Sequence, residues 1–521
     1  MFRALFSAFV VLSAWATLYA ADAVGSALSY EAFGAVGDGK TDDRPAIIAT
    51  HAAANERGMP VRARDGATYY MGCGGGTAVV RTDVDFGTAK FVIDDSHVEK
   101  RHIRTPAFSL VPDVRPFAVT GVTHVARGQR RLDLALPARC LVVLKDSSTM
   151  RFIRYGSNQN NGSPQQEVVL VERDGQISPE TPVVWDYARV TSATAHPIGE
   201  RTLVMKGGTF TTIANQAESK YTYYSRGIDV RRSNVRIEGL RHLVTGELDH
   251  GAPYSGFLSI DTCANVTVTG CVFTARRTYG TIGSAGRPVN MGSYGISVTR
   301  AVNAHFLGCR QTTDILDRRY WGLFGSNLCR NLLFDDCVFS RFDAHTGVAN
   351  ATIRNSTLGY MGIQAIGFGT LRIENSTIRA SNALVSLRSD YGSSWNGDIV
   401  IRNCVFAPIA KKGAAFPPIL NGTNVGTHDF GYACTMPRRL VLEGLFVDDA
   451  HTSGESGEVY VFGPFNRNCT GDGVRPYPVT EELVLRNVRT ASGRPVKISR
   501  NTSLFRNVRI VREQDGCAGM Q

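Results

Sequence analysis

Short stretches in which apolar and polar residues alternate recur through the second half of the chain. They begin at Asn265, Asn303, Asn331, Asn350, Gly369 and Asp398, and each ends in a polar turn followed by a small residue: Cys271, Cys309, Cys337, Ser356, Ser376 and Cys404. Weaker copies start at Asn234, Leu440, Leu483 and Leu504. Alternation buries one side of each stretch and leaves the other in water, as in a half-buried strand. The small residues follow one another at steps of 38, 28, 19, 20 and 28. A fixed minimum with variable insertions is what stacked coils produce, because each coil touches only its neighbours and loops bulge outward. A second strand repeats upstream, opening at Gly227, Gly256, Gly295 and Gly322. The pattern predicts an all-β solenoid, a parallel helix of strands with two strands and a turn per coil.

The flanking segments read differently. Residues 1–23 carry one basic residue, Arg3, then an apolar run from Ala4 to about Ala16 and a stretch of small residues. That layout is a secretory signal peptide and predicts a secreted or periplasmic protein. The run is too short to cross a bilayer comfortably, and no later segment is longer, so no membrane span is expected. Residues 24–115 read as a cap and the first coils. Tyr30 to Phe33 is a strand, Gly37-Asp38-Gly39 a tight turn, and Asp42 or Asp43 the N-cap of a helix with Pro45 in its first turn. The helix should stop at Gly58, with strands near Val61 and from Thr68 to Tyr70. Residues 116–200 lack the repeat and read as a β-rich insertion, with a polar tip at 158–164 placed to overhang a groove. Residues 201–521 form the solenoid and its C-terminal coils.

Charge adds a substrate class. Only nine of the 57 basic residues are lysine, and the formal net charge is +11. The arginines are spread through the repeats instead of clustering with aromatics, which argues against nucleic acid. In an exported protein they point to carboxylate- or sulfate-bearing partners, which the guanidinium fork binds in bidentate fashion. Biased codon usage would explain the same excess. Most of the eleven cysteines fall in the repeat columns and read as small buried residues; Cys434, Cys469 and Cys517 are the better disulfide candidates. Asn-x-Ser/Thr sequences such as those at Asn265 and Asn350 read as turn and ladder residues.

Phe33-Gly34-Ala35, Gly37-Asp38-Gly39, Asp42-Asp43 and the helix after them resemble the opening of pectate-lyase-superfamily proteins. That resemblance implies a right-handed parallel β-helix with an N-terminal capping helix, and leaves open which polysaccharide chemistry it serves. A second resemblance spans residues 154 to 406. RYGSNQNNG (154–162), DHGAPYSGF (249–257), LLFDDCVFSRFDAH (332–345), GYMGIQAIGFG (359–369) and RSDYGSSWNGDI (388–399) are similar to polysaccharide lyase family 29. It implies lyase activity on chondroitin sulfate and hyaluronan, and brings no settled catalytic motif.

The candidate site therefore rests on chemistry. β-Elimination at a uronide needs the carboxylate neutralised, a base for the neighbouring proton and an acid for the leaving oxygen. The repeats hold no lysine between Lys220 and Lys411, and an arginine base would have to lose a tightly held proton. Histidine as base and tyrosine as acid is the economical pairing. His345 is the first base candidate and His250 the second; Tyr320 and Tyr254 are the acids, with Arg388 on the carboxylate. Arg318, Arg319, Trp321, Arg341, Asp343, Gln364, Asp390 and Tyr391 are expected along the same ridge as substrate-binding residues. No cofactor is expected to be required, although Asp314, Asp317 and Asp343 offer oxygen ligands should calcium take part. The expected partner is an acidic polysaccharide and the expected state a monomer. A glycoside hydrolase, a uronan epimerase and a non-catalytic glycan-binding adhesin are the competing readings.

Overall fold

The alternating stretches become strands of three long parallel sheets. In a computed structural model, residues 27–157, 159, 162–217, 223–248, 253–283, 286–409, 414–450, 458–466 and 468–513 are described. Residues 1–23, expected from sequence to be a signal peptide, lie outside them, as do His250 and Cys517. Val302–Leu307, Cys329–Asp335, Val348–Arg354, Gly367–Glu374 and Trp395–Arg402 stack in register within a 13-stranded sheet. The segments after the small residues form a 15-stranded sheet, and the glycine-led strands belong to a six-stranded one. The protein is a right-handed parallel β-helix. Each coil has three strands where the sequence pattern predicts two. The third is only two residues long in several coils, as in Val272–Phe273 and Arg310–Gln311, too short for alternation to reveal it.

Register makes the core. Phe306, Phe334, Ile353, Ile373 and Ile401 align one per coil and have no exposed surface. Burying each such side chain contributes about 1.5–3 kcal/mol. The cysteine column lies inside as a ladder of thiols: the Cys309 and Cys337 sulfurs sit 3.3 and 3.2 Å from the Val268 and Phe306 carbonyl oxygens of the preceding coil. All ten described cysteines are free, so the disulfides expected at Cys434 and Cys469 are not formed. At the turns, Asn234, Asn265, Asn303, Asn331 and Asn350 all adopt positive φ. Their side-chain amides bond from coil to coil at 2.9–3.3 Å. Asparagine recurs there because it tolerates the left-handed conformation and carries both donor and acceptor.

The cap holds a helix at Arg44–Arg57 that ends at Gly58, whose φ is 66°. Asp43 stands at its N-cap but turns its carboxylate back to Val36 N at 2.6 Å. Asp42 accepts instead from Arg44 N at 3.2 Å. Tyr30 to Phe33 is not a strand: Glu31–Phe33 is a short 3-10 helix closed by Gly34 at φ 95°. No helix among the described residues is long and apolar enough to cross a membrane.

Between the first coils and the main stack, Phe117–Ala118, Cys140–Arg151, Ser163–Val171 and Ser192–Pro197 form a four-stranded antiparallel sheet. Its Leu141, Val168 and Leu170 pack on Ala264 and Val302 of the solenoid. A buried ion pair, Arg330 with Glu167, pins the two together, and Arg330 also donates to the Pro182 carbonyl at 2.6 Å. The chain leaving Cys140–Arg151 then runs along the solenoid: Ile153 N donates to Phe430 O at 3.0 Å and Tyr155 N to Asp390 O at 2.9 Å. The insertion thereby becomes one wall of a groove.

Candidate active site

The groove has a volume of about 1310 Å³. Its floor follows the outward-facing column of successive strands, where Asp343 pairs with Gln364, Gln364 with Ser386 and Ser386 with Asn421. In the other direction Ser326 bridges to Ala344 and Thr299 pairs with Asn327. Arg154, Ser163 and Gln166 of the insertion form the opposite wall.

His345 lies half-buried where the strand Val338–Asp343 turns into the next coil. Its Nδ1 is 3.0 Å from the Asn327 Oδ1, which also accepts the Thr346 hydroxyl at 2.8 Å. An amide oxygen only accepts, so Nδ1 carries the proton and Nε2 is left as the basic nitrogen. The Tyr391 hydroxyl stands 3.5 Å from that nitrogen, and the rings meet edge to face at 5.4 Å.

Beneath and beside this pair runs an alternating chain of charge. Arg341 holds Asp343 at 2.5 Å, Asp343 holds Arg388 at 2.9 Å, Arg388 holds Asp390 at 2.9 Å, and Asp390 holds Arg154 at 2.8 Å. Three guanidiniums face two carboxylates, so the cluster keeps one unbalanced positive charge. Burial raises the Asp390 carboxyl, but the Arg388 and Arg154 charges outweigh it and hold the group below its usual value. Tyr391 is pushed up to about 12, chiefly by burial. His345 is pushed down to about 3 by burial and then by the charge of Arg388. A neutral imidazole thus meets a protonated phenol near neutral pH, the pair of states that base and acid require.

The His345 shift has a consequence for stability. Unfolded, the imidazole takes a proton near pH 6.5; folded, it does so only near pH 3. Between those values the unfolded chain binds more protons, so the contribution of His345 to stability falls as pH drops from about 6.5 toward 3. His345→Gln is expected to lose less stability than the wild type between about pH 7 and pH 4.5, read from denaturant midpoints. Parallel losses would show that the imidazole does not titrate this way.

Of the residues expected from sequence, His345, Arg388, Trp321, Arg341, Gln364, Asp390 and Tyr391 line the groove. Asp343 lies below the floor with no exposed surface. Four placements are corrected. Tyr320 is outside the lining, its ring below the Arg319 guanidinium at 6.0 Å; neighbouring residues of an extended segment face opposite ways, and Trp321 takes the inward position. Tyr254 is 3% exposed, accepts from Asn215 N at 2.8 Å and carries the Arg276 guanidinium 3.4 Å above its ring. It is a packing residue. Arg318 and Arg319 are exposed outside the groove, Arg319 paired with Asp317 at 2.5 Å. His250 lies outside the described residues. The oxygen ligands weighed for calcium do not converge: Asp343 is committed to two arginines, Asp317 to Arg319, and Asp314 accepts from Leu316 N. Among the described residues no three metal-ligating side chains gather.

Sequence reasoning missed Arg154, Asn327, Arg300 and Arg500 in the lining. Arg154 opens the stretch 154–162 that carries the lyase resemblance, and Asn327 ends the strand led by Gly322. Both signals were in the chain; neither specifies a direction for the side chain.

No protein-family model matches the chain, and no curated protein matches it. Solved structures do match in fold. The tailspike protein gp49 from Pseudomonas phage LKA1 aligns over 93% of this chain and 84% of its own, with a TM-score of 0.53 and 13% identity. The Pseudomonas phage phi297 tailspike gp61 aligns over 92% and 83%, with 0.54 and 13%. The Gp54 tailspike of Acinetobacter baumannii bacteriophage AP22, in complex with A. baumannii capsular saccharide, aligns over 93% and 79%, with 0.50 and 10%. At such identities the likeness establishes the β-helix and nothing about chemistry.

Proposed function

We propose that the protein is a polysaccharide lyase that cleaves uronic-acid-containing glycans by β-elimination, with His345 as base and Tyr391 as acid. One observation carries this reading: among the described residues, five arginines and a single carboxylate, Asp390, line a groove that holds a neutral histidine 3.5 Å from the hydroxyl of a protonated tyrosine. The surplus positive charge beside His345 neutralises the uronate carboxylate and makes the neighbouring proton more acidic. His345 Nε2 removes that proton, and the electron pair expels the glycosidic oxygen as a double bond forms in the uronide ring. Tyr391 protonates the departing oxygen. The bound carboxylate also opposes the field of Arg388 and raises the basicity of His345, since a nearby negative charge favours imidazolium.

A glycosidase is disfavoured by the same lining. It needs two carboxylates across the scissile bond, one of them kept protonated, whereas Asp390 is held ionised between Arg388 and Arg154. Chondroitin sulfate and hyaluronan are the substrates we put forward, because the stretches that resemble polysaccharide lyase family 29 supply Arg154, Arg341, His345, Arg388 and Tyr391 of the groove. The saccharide held by the AP22 tailspike fits the view that this fold can carry a glycan. The test is incubation with chondroitin sulfate, hyaluronan, pectate and alginate, following far-ultraviolet absorbance of unsaturated uronides together with reducing ends. A rise in both is expected with at least one uronan. Reducing ends without absorbance would indicate a hydrolase, and neither signal an epimerase or an adhesin.

A further inference from the structure

The groove continues well past the reacting pair. Counted by strand pairing from Asp343, the column passes Gln364, Ser386 and Asn421, then crosses the Leu420–Phe462 bridge and the bond from Phe462 N to Ile498 O. Those are five coil steps of about 4.8 Å, so the far end lies roughly 24 Å from His345. In the other direction the lining extends through Thr299 and Ser255 to Tyr223. His345 is therefore in the interior of a long groove, not at the closed end of a pocket.

Arg500 stands at the far end. Of the five lining arginines, Arg154, Arg300, Arg341 and Arg388 each hold a carboxylate. Among the described residues, no ion pair engages Arg500. It is exposed, and its guanidinium lies 5.0 Å from the centre of the Tyr460 ring. The nearby carboxylate, Glu458, is bonded to Lys497 and the Tyr460 hydroxyl. Phe416, Pro417, Pro418 and Pro464 line the groove alongside. An open guanidinium fork beside an aromatic ring and apolar side chains suits an acidic sugar: the fork meets the carboxylate or sulfate, and the apolar surfaces meet the C–H faces of the ring.

We infer that Arg500 and Tyr460 form a distal subsite for an acidic sugar unit, which makes the protein an enzyme that cuts within long polyanionic chains instead of trimming their ends. This rests on the reading of the groove as a uronan site. A coil step and a sugar unit are of similar length, so a chain lying along the solenoid reaches Arg500 only when it extends several units beyond the scissile bond. Because the lining also runs through Thr299 and Ser255 on the other side of His345, the chain is held on both sides of the cut.

The test uses the full chain carrying His345→Ala, so that ligands are not consumed. Binding of size-defined chondroitin sulfate oligosaccharides and oligogalacturonates, from disaccharide to dodecasaccharide, is measured by calorimetry with and without Arg500→Ala or Arg500→Lys. Affinity is expected to rise with length, and the dodecasaccharide-to-tetrasaccharide affinity ratio to fall about tenfold in Arg500→Ala, the worth of one charge-assisted contact. Arg500→Lys should restore part of it. An unchanged ratio in both variants overturns the distal subsite and leaves the lyase reading standing. If no oligosaccharide of either acid binds the His345→Ala chain, the uronan reading fails and the subsite with it. Arg500 is exposed, so folding is not at stake, and unfolding midpoints check this.

Discussion

His345→Ala is expected to lower the rate of uronide formation by about 10²–10⁴-fold, the range that a positioned base supplies, while the β-helix stays intact. The expectation rests on three features of that side chain. Its tautomer is fixed by Asn327, its free nitrogen faces Tyr391, and it is neutral where a base must be neutral. Binding of an acidic oligosaccharide should survive, because the arginines that hold the carboxylate are untouched. Tyr391→Phe should lose activity too, and lose most on substrates with the poorest leaving group. Wild-type rates in His345→Ala would remove it as the base.

The largest effect on stability is expected at Asp343. Its carboxylate is fully buried and pairs with both Arg341 and Arg388, whose side chains are 3% and 10% exposed. Asp343→Ala leaves the buried Arg341 without its carboxylate and Arg388 with Asp390 alone. Removing one partner of a buried pair costs about 3–5 kcal/mol, and here two pairs share the missing group. Asp343→Asn keeps the shape and one acceptor and should fall between. The readout is the denaturant unfolding midpoint, and activity should drop as well because Arg388 loses the support that aims it. An unchanged midpoint in Asp343→Ala would mean that the charge chain contributes no net stability.

The architecture was legible because a solenoid writes its geometry into the sequence once per coil. The columns Asn265–Asn303–Asn331–Asn350 and Cys271–Cys309–Cys337 are also spatial ladders. What alternation could not reveal was the two-residue third strand, nor the 3-10 turn at Glu31–Phe33, whose composition is equally compatible with a strand. The site was legible in part. Arg341 and His345 belong to one coil and Arg388, Asp390 and Tyr391 to the second coil beyond it, the last two in the 3-10 turn Ser389–Tyr391, and stacking in register brings them to one face. The choice among tyrosines was not legible. Tyr320 and Tyr391 both sit beside the groove in sequence terms, and a single residue of phase decides which of Tyr320 and Trp321 turns inward. Arg154 comes from the insertion, whose position depends on the Arg330–Glu167 pair and on packing against Ala264 and Val302, contacts with no period to betray them.

The groove's chemistry is most sharply examined through the mass of its products. Purified protein is incubated with a uronan that it degrades, in water enriched in heavy oxygen, and the new chain ends are weighed. Elimination adds no water, so each cut should yield a non-reducing end one water lighter than a hydrolytic fragment and take up no heavy oxygen at the bond that breaks. Full-mass fragments carrying heavy oxygen at the cut would show that water attacks, and His345 and Tyr391 would then not be the base and acid of an elimination.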